Sequence, residues 1–157
     1  MHRGQVITTD LIIALTVAIA LIFLINSQWG MMLKNFEDSE SRITAEKAAY
    51  LGSLYLVDSK GYPVPWNSTN ISVLGVAKDL NIIDENKFAE LMKVDNASLG
   101  DLLGAPGYKF FINLTKLNDA TINSTGYAPS NPSIIVTVPS YVVFNKEVSK
   151  LYVTVWK

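Results

Sequence analysis

The chain has 157 residues, the size of a single domain, and it contains no cysteine. A disulfide framework and a thiolate metal site are therefore excluded. The single histidine, His2, stands almost at the N-terminus, so the commonest general base and zinc ligand is missing from the rest of the sequence. The formal net charge is −1 and no basic run is present, which argues against a nucleic-acid partner.

Apolar residues are concentrated near the N-terminus. Residues 11–25, LIIALTVAIALIFLI, carry no charge and include one polar side chain, Thr16. Counted from Val6 to Ile25, the stretch would form a helix of about 30 Å, the thickness of a bilayer core. Because the segment lacks a polar face, the sequence predicts a membrane-spanning helix rather than the core helix of a soluble domain.

The flanking charges predict the orientation of this helix. Arg3 precedes it and the next basic residue is Lys34, so the N-terminus is expected inside and the rest of the chain outside. A conventional secretory signal peptide is the alternative. The apolar run continues into Asn26-Ser27-Gln28-Trp29, which is a poor cleavage site, so the helix is expected to remain on the mature protein.

The residues before the helix form a short basic leader. Met1-His2-Arg3-Gly4-Gln5 ends in Arg-Gly followed by Gln, and a few polar residues with one acid lead into the apolar run. This arrangement resembles the class III signal peptide of archaeal type IV pilin-like proteins. The resemblance implies that a membrane-embedded prepilin peptidase cleaves between Gly4 and Gln5, and that the processed subunits assemble through their apolar helices.

The same resemblance implies an assembly role for Asp10. The family usually has an acid at the fifth position of the mature chain, where its carboxylate meets the N-terminal amine of a neighbouring subunit. Here Thr9 holds that position and Asp10 follows. One residue turns a helical side chain by about 100 degrees, so either the pairing geometry shifts or assembly is unusual. A carboxylate at a helix start is also favoured by the helix dipole, without any partner.

Beyond Asn26 the sequence becomes amphipathic, and the helix is expected to continue to Val57. Apolar side chains recur every seven residues, with leucines beside them: Phe36, Ile43, Tyr50 and Val57, with Leu33, Leu51 and Leu54. This heptad stripe has two interpretations, covering the C-terminal head or packing on neighbouring subunits, and both are expected to hold at different heights along the helix. Gly30 and Gly52 are weak points, each costing about 1 kcal/mol relative to alanine.

Residues 58–157 are predicted to form an extracellular head. Two prolines and a glycine in 59–65 end the long helix. Asp84 is a fair N-cap for a short helix that reaches Met92 and buries Phe88, Leu91 and Met92. Alternation predicts a strand over 108–115, and apolar runs predict strands at 133–138, 141–144 and 151–156.

The predicted fold class is α+β: a long N-terminal helix, with a small antiparallel sheet packed on its second half. The expected segments are a cleaved leader (1–4), a membrane-spanning assembly helix (5–28), its amphipathic continuation (29–57) and the head (58–157). Short motifs in the head, such as Gly61-Tyr62-Pro63 and Trp66-Asn67, look like the soluble part of many archaeal class III pilin-like proteins.

Five Asn-x-Ser/Thr sequons follow the membrane segment: Asn67, Asn70, Asn96, Asn113 and Asn123. Chance would give roughly two at this composition. The excess favours an outward-facing, glycosylated head, and a loop composition rich in Asn and Ser is the alternative. Asn113 falls in a predicted strand and need not be modified.

Catalysis has few candidate residues in this sequence. No nucleophile elbow, P-loop or metal-spaced cluster is present, and the acids of the head do not follow EF-hand spacing: Asp79, Asp84, Glu85, Glu90, Asp95 and Asp101. Aromatic side chains could form a sugar-binding or adhesive platform, but they are expected to fill the core: Tyr62, Trp66, Tyr108, Phe110, Phe111, Tyr127, Tyr141, Tyr152 and Trp156. We therefore expect no catalytic residue, cofactor or metal.

The sequence as a whole predicts a structural protein, a major or minor subunit of an extracellular type IV pilus-like filament. Expected partners are identical or related pilin subunits, the membrane before assembly, the prepilin peptidase and the assembly machinery. The alternative is a membrane-anchored cell-surface binding or adhesion module that does not polymerise. An extracytoplasmic enzyme is the third hypothesis, and it lacks a recognisable nucleophile and base.

Overall fold

The computed structural model describes residues 3–157, with side chains from residue 9 onward. Helix α1 runs from Arg3 to Asp58. It ends beside the predicted breaker, where Gly61 has a φ of 71° and its N–H donates to Ser59 Oγ at 3.0 Å. The chain divides into two compact units, residues 1–40 and 41–157, and we call the second the head unit.

The head unit contains one six-stranded sheet and two short helices. In chain order the elements are β1 (Ala77–Asp79), β2 (Ile82–Ile83), α2 (Glu85–Leu91), α3 (Leu99–Leu102), β3 (Lys109–Lys116), β4 (Thr121–Gly126), β5 (Ile135–Phe144) and β6 (Glu147–Trp156). The strand order is β1-β2-β5-β6-β3-β4. The β2–β5 pair is parallel, through Ile82 and Val143, and the other pairs are antiparallel. The predicted α+β class is confirmed, but the sheet, which was expected to be antiparallel, is mixed because of the parallel β2–β5 pair.

Local signals predicted part of this sheet. Strand β3 lies within one residue of its predicted bounds, and β6 covers the predicted 151–156 but begins earlier, at Glu147. The two segments expected on either side of Pro139 form one strand, β5. Because β2 reaches β5 only at Val143, β5 is an edge at Pro139, where a missing N–H is tolerated. Strands β1, β2 and β4 were not predicted, since two of them have three residues or fewer and β4 is polar.

The short helix α2 confirms the predicted N-cap. Asp84 Oδ1 accepts hydrogen bonds from the backbone N–H groups of Asn86 at 2.9 Å and Lys87 at 3.3 Å. Phe88 and Leu91 are buried as expected, and Met92 is half-buried. The helix lies between β2 and α3 in the chain and carries part of the core with its apolar side.

Small side chains form the face of α1 that packs in the core. Ala45, Ala49 and Leu56 are fully buried with the inner side of the sheet: Phe110, Ile112, Leu114, Leu151, Val153 and Val155. A Cβ on Gly52 would lie 3.2 Å from Phe110 Cε1, so this glycine permits a close approach between helix and sheet. Gly52, which weakens the helix locally, therefore lies where α1 packs closely against the sheet.

The heptad stripe is not the face that covers the head. Phe36, Ile43 and Tyr50 are 60%, 49% and 61% exposed, whereas Val57 is buried. The interpretation in which the stripe covers the head is therefore wrong except at Val57. The physical reason is size, because alanine and glycine bring the helix axis closer to the sheet than aromatic or branched side chains would.

Two leucines that lie two residues apart on α1, on different faces of the helix, test this packing. We expect Leu56→Ala to lower the free energy of unfolding by about 2–5 kcal/mol, because it leaves a cavity beneath a fully buried side chain. Leu54→Ala, at a position 39% exposed, should cost under about 1 kcal/mol. Urea unfolding in detergent can be followed by the fluorescence of the buried Trp66 and Trp156. Equal losses would contradict the assignment of the buried face.

Candidate assembly and membrane surface

Residues 9–40 of α1 expose their apolar side chains to solvent. Every described side chain from residue 9 to residue 40 is exposed, including Phe23 and Trp29. By length and composition, the described part of the chain has one helix able to cross a membrane, and no part of its apolar window is buried. A contiguous exposed apolar surface of this kind is typical of a site that interacts with a membrane or with another protein.

Asp10 lies on this exposed surface, in the third turn of α1 as the structure has it. The explanation by the helix dipole stays a prediction from the sequence, because it depends on where the helix of the mature chain begins. Among the residues with described side chains, no ion pair involves Asp10.

The expected cleavage point lies outside the described side chains. The backbone at Gly4 and Gln5 belongs to α1, while Met1 and His2 fall outside the described residues altogether. Cleavage after Gly4 therefore stays a prediction from the sequence.

A second uncovered apolar surface lies on the head unit. Ile43, Tyr50 and Leu54 of α1 are exposed, and Tyr50 and Leu54 border an open groove of about 360 Å³. The groove is also lined by side chains from α1, the β1–β2 turn and β5: Ser53, Val57, Asp58, Leu80, Asn81, Val138, Pro139 and Ser140. The hydroxyls of Ser53 and Ser140, 2.7 Å apart, join α1 to β5 there.

Two of the five sequon asparagines form one exposed turn. Asn67 Oδ1 accepts from the N–H groups of Thr69 at 3.0 Å and Asn70 at 3.1 Å, and Asn70 Oδ1 accepts from Asn67 N–H at 2.7 Å. These bonds use the amide oxygens, whereas a glycan is attached to the amide nitrogen. The turn therefore holds both side chains at the surface in a way compatible with modification.

The other three sequons differ in accessibility. Asn96 is half-buried and its Oδ1 accepts from Gly126 N–H at 3.1 Å, which ties the loop before α3 to the end of β4. Asn113 is half-buried in β3, and its Oδ1 is enclosed without a partner among the described residues. Asn123 is exposed on β4. Only the tertiary structure separates these sites.

The aromatic side chains are divided between core and surface. Trp66, Phe110 and Trp156 are buried, which confirms the expectation of a core role for them. Tyr62 and Tyr141 are about two-thirds exposed and Tyr127 is 43% exposed, so the expectation is wrong for these three. In β5, Tyr141 lies opposite Lys150 of β6.

Two lysines in the described part of the chain join separate segments of the head unit. Lys150 Nζ donates to Asp119 Oδ1 at 2.7 Å, which lowers the pKa of Asp119 and raises the pKa of Lys150. Desolvation lowers the pKa of Lys87, whose Nζ donates to backbone carbonyls of Lys60 and Ala77. Among the described residues, no cluster of three or more His, Asp or Glu side chains could hold a metal.

Comparison of the chain with protein-family models, curated proteins and solved structures finds no significant match. The chemical possibilities therefore follow from the surfaces of the molecule. The described residues offer an apolar helix for lipid or for other helices, an uncovered stripe on the head unit and exposed sequons.

Accessibility predicts which sequons carry glycans in the native protein. We expect glycan mass on the peptide that contains Asn67 and Asn70 and on the peptide that contains Asn123, because these side chains are exposed. We expect Asn113 to be unmodified, since its side chain is half-buried in β3 with its Oδ1 enclosed. Mass spectrometry of peptides from cell-surface material measures each occupancy. A glycosylated Asn113 beside bare Asn67 and Asn70 would contradict the assignment.

Proposed function

We propose that the protein is a subunit of an extracellular filament of the archaeal type IV pilus-like kind. In this proposal it is inserted in the membrane, cleaved after Gly4 and assembled through α1. The observation that carries the proposal is the uncovered helix surface from residue 9 to residue 40, joined in sequence to a compact α+β unit. The basic leader that precedes this helix supports it from the sequence.

The energetics of such an assembly differ from those of soluble association. Lipid tails are as apolar as leucine, so moving α1 from lipid to a bundle of identical helices gains little from the hydrophobic effect. Helix packing and polar pairing must then provide the preference. Asp10 is the one acid in the apolar part of α1, and a carboxylate there favours a cationic partner. The new N-terminal amine of a neighbouring subunit is that partner in our proposal.

The head unit supplies further support for lateral contacts. Ile43, Tyr50 and Leu54 are large apolar side chains that face solvent on α1, beside the groove described above. Contact with neighbouring subunits would remove them from water and stabilise a filament by about 25 cal/mol for each Å² buried. The exposed sequons agree with a location outside the cell, first at the membrane and then in the filament.

A membrane-anchored adhesion module that does not polymerise uses the same helix only as an anchor. Under that hypothesis the charge of Asp10 has no assembly partner, and its loss leaves the protein at the cell surface as before. The two hypotheses therefore differ in the response of filaments to a change at Asp10.

Processing is tested by the mass of the protein purified from its native membrane. We expect the mature chain to begin at Gln5 and to lack Met1 to Gly4. We expect Gly4→Val to retain the leader, because a side chain at Gly4 blocks the approach of the peptidase to the backbone. Gly30→Val is the matched control, since a Cβ at Gly30 would have nothing within 4 Å. A native chain that begins at Met1 would contradict the proposal.

Assembly is tested by removing the charge of Asp10, with Asp10→Asn as the variant of nearly the same size. We expect Asp10→Asn, and likewise Asp10→Ala, to lower the yield of sheared filaments about tenfold or more, because the pairing with an amine is lost. Asp101→Asn, at an exposed aspartate of α3 that does not line the groove, is the control and should assemble like the unmodified protein. Electron microscopy and immunoblots of sheared material measure the yield. Normal filaments from both Asp10 variants would favour the anchored module.

A further inference from the structure

Aromatic and basic side chains gather at the end of the sheet where α1 enters the head unit. This basic-aromatic rim consists of Tyr108, Lys109, Tyr127, Trp156 and Lys157. Lys109 and Trp156 lie opposite each other in the β3–β6 register. Tyr108 hydroxyl donates to the carbonyl of Ser41 at 3.0 Å, which places the rim at the first turn of α1 in this unit.

The rim holds its lysines over aromatic rings. Lys109 Nζ lies 4.5 Å from the ring centroid of Trp156 and 5.9 Å from that of Tyr127. Trp156 is itself fixed, because it is buried and its Nε1–H donates to the carbonyl of Tyr127 at 2.8 Å. Lys157 Nζ lies 5.9 Å from the ring centroid of Tyr108. Both lysines remain exposed, so each ammonium can receive an anion from the solvent side.

Neither lysine has an acidic partner among the residues with described side chains. The ion pairs found there are Arg42–Glu46, Glu90–Lys93 and Asp119–Lys150. A cation held on a ring keeps its charge, so the rim presents two positive charges in restricted positions. Such restriction lowers the entropy lost when an ion pair forms.

Opposite charge is present on α1 in the first unit. Residues 26–40 contain the acids Glu37, Asp38 and Glu40 and one base, Lys34. Glu37 and Asp38 are exposed, and no ion pair among the described side chains involves them. We call residues 37–40 the acidic segment.

We propose that the basic-aromatic rim of one subunit binds the acidic segment of a second copy of this chain, an inference that rests on the proposed filament. The two surfaces are complementary in charge and differ from each other, so the contact is heterologous. A heterologous contact that does not close into a ring extends as a helical filament, whereas a contact between identical patches stops at a dimer. Each subunit then uses its rim toward one neighbour and its acidic segment toward another.

This contact fixes the register of neighbouring subunits. Apolar helices pack in several registers with similar energies, because their contacts are non-directional. Charged groups confined to one short stretch of α1 select a single register of the packed helices. In other registers, like charges face each other. A single exposed ion pair contributes little, but the contact recurs at every subunit of a filament.

The test reverses each charged surface in the full-length chain in its native host. One variant is Lys109→Glu with Lys157→Glu, and the other is Glu37→Lys with Asp38→Lys. We expect each to lower the yield of sheared filaments about tenfold or more, with normal cleavage of the leader. The control is Lys78→Glu with Lys116→Glu, an equal charge change at exposed lysines outside the rim, which should assemble normally. Tryptophan fluorescence during unfolding shows that each head unit is folded.

Co-expression of the two reversed variants decides whether the contact joins two copies. In a mixture, the acidic segment of one variant meets the basic rim of the other, so we expect alternating filaments at half the normal yield or more. If the rim paired with the acidic segment of its own subunit, only a chain with all four changes would restore the pairing, and the mixture would form no filaments. A mixture without filaments would therefore overturn the proposal. Normal filaments from either reversed variant alone would also overturn it. Absence of filaments from the unmodified chain would instead refute the proposed function.

Discussion

The close contact between α1 and the inner side of the sheet determines what the rest of the molecule exposes. Ala45, Ala49 and Gly52 bring the helix near Phe110, and a side chain at Gly52 would already press on that ring. Because the small face turns inward, the large apolar side chains at Ile43 and Tyr50 turn outward. Packing the small face of α1 on the sheet therefore builds the core and leaves the larger apolar side chains of the same helix exposed.

The function that we propose uses this division along the whole helix. The part of α1 from residue 9 to residue 25 offers an apolar surface to lipid or to other helices, and Asp10 adds the charge that packing alone lacks. The head unit adds the stripe, the groove and the basic-aromatic rim, whose lysines are held by Trp156 and Tyr108. In the proposed filament, apolar contacts bury surface between subunits, whereas charged contacts fix the orientation and register of neighbouring subunits.

Features encoded over short distances could be predicted from the sequence. The end of α1, the N-cap at Asp84 and strands β3 and β6 follow from prolines, a capping carboxylate and alternation. Strand β4 and the short pair β1–β2 could not be predicted, because their strand geometry depends on partners distant in sequence. The buried face of α1 had a signal in the small residues at 45, 49 and 52, but the heptad stripe of larger side chains obscured it.

The sequence by itself determined that the chain has an apolar helix long enough for a membrane, Arg3 and Gly4 before the apolar run, an acid at Asp10 and five sequons. These are properties of composition and spacing, and they do not depend on long-range contacts. Only the tertiary structure decided which helix face is buried, which sequons are exposed and that Lys109 lies over Trp156. Burial and the pairing of distant residues arise when the chain closes on itself, so no local pattern contains them.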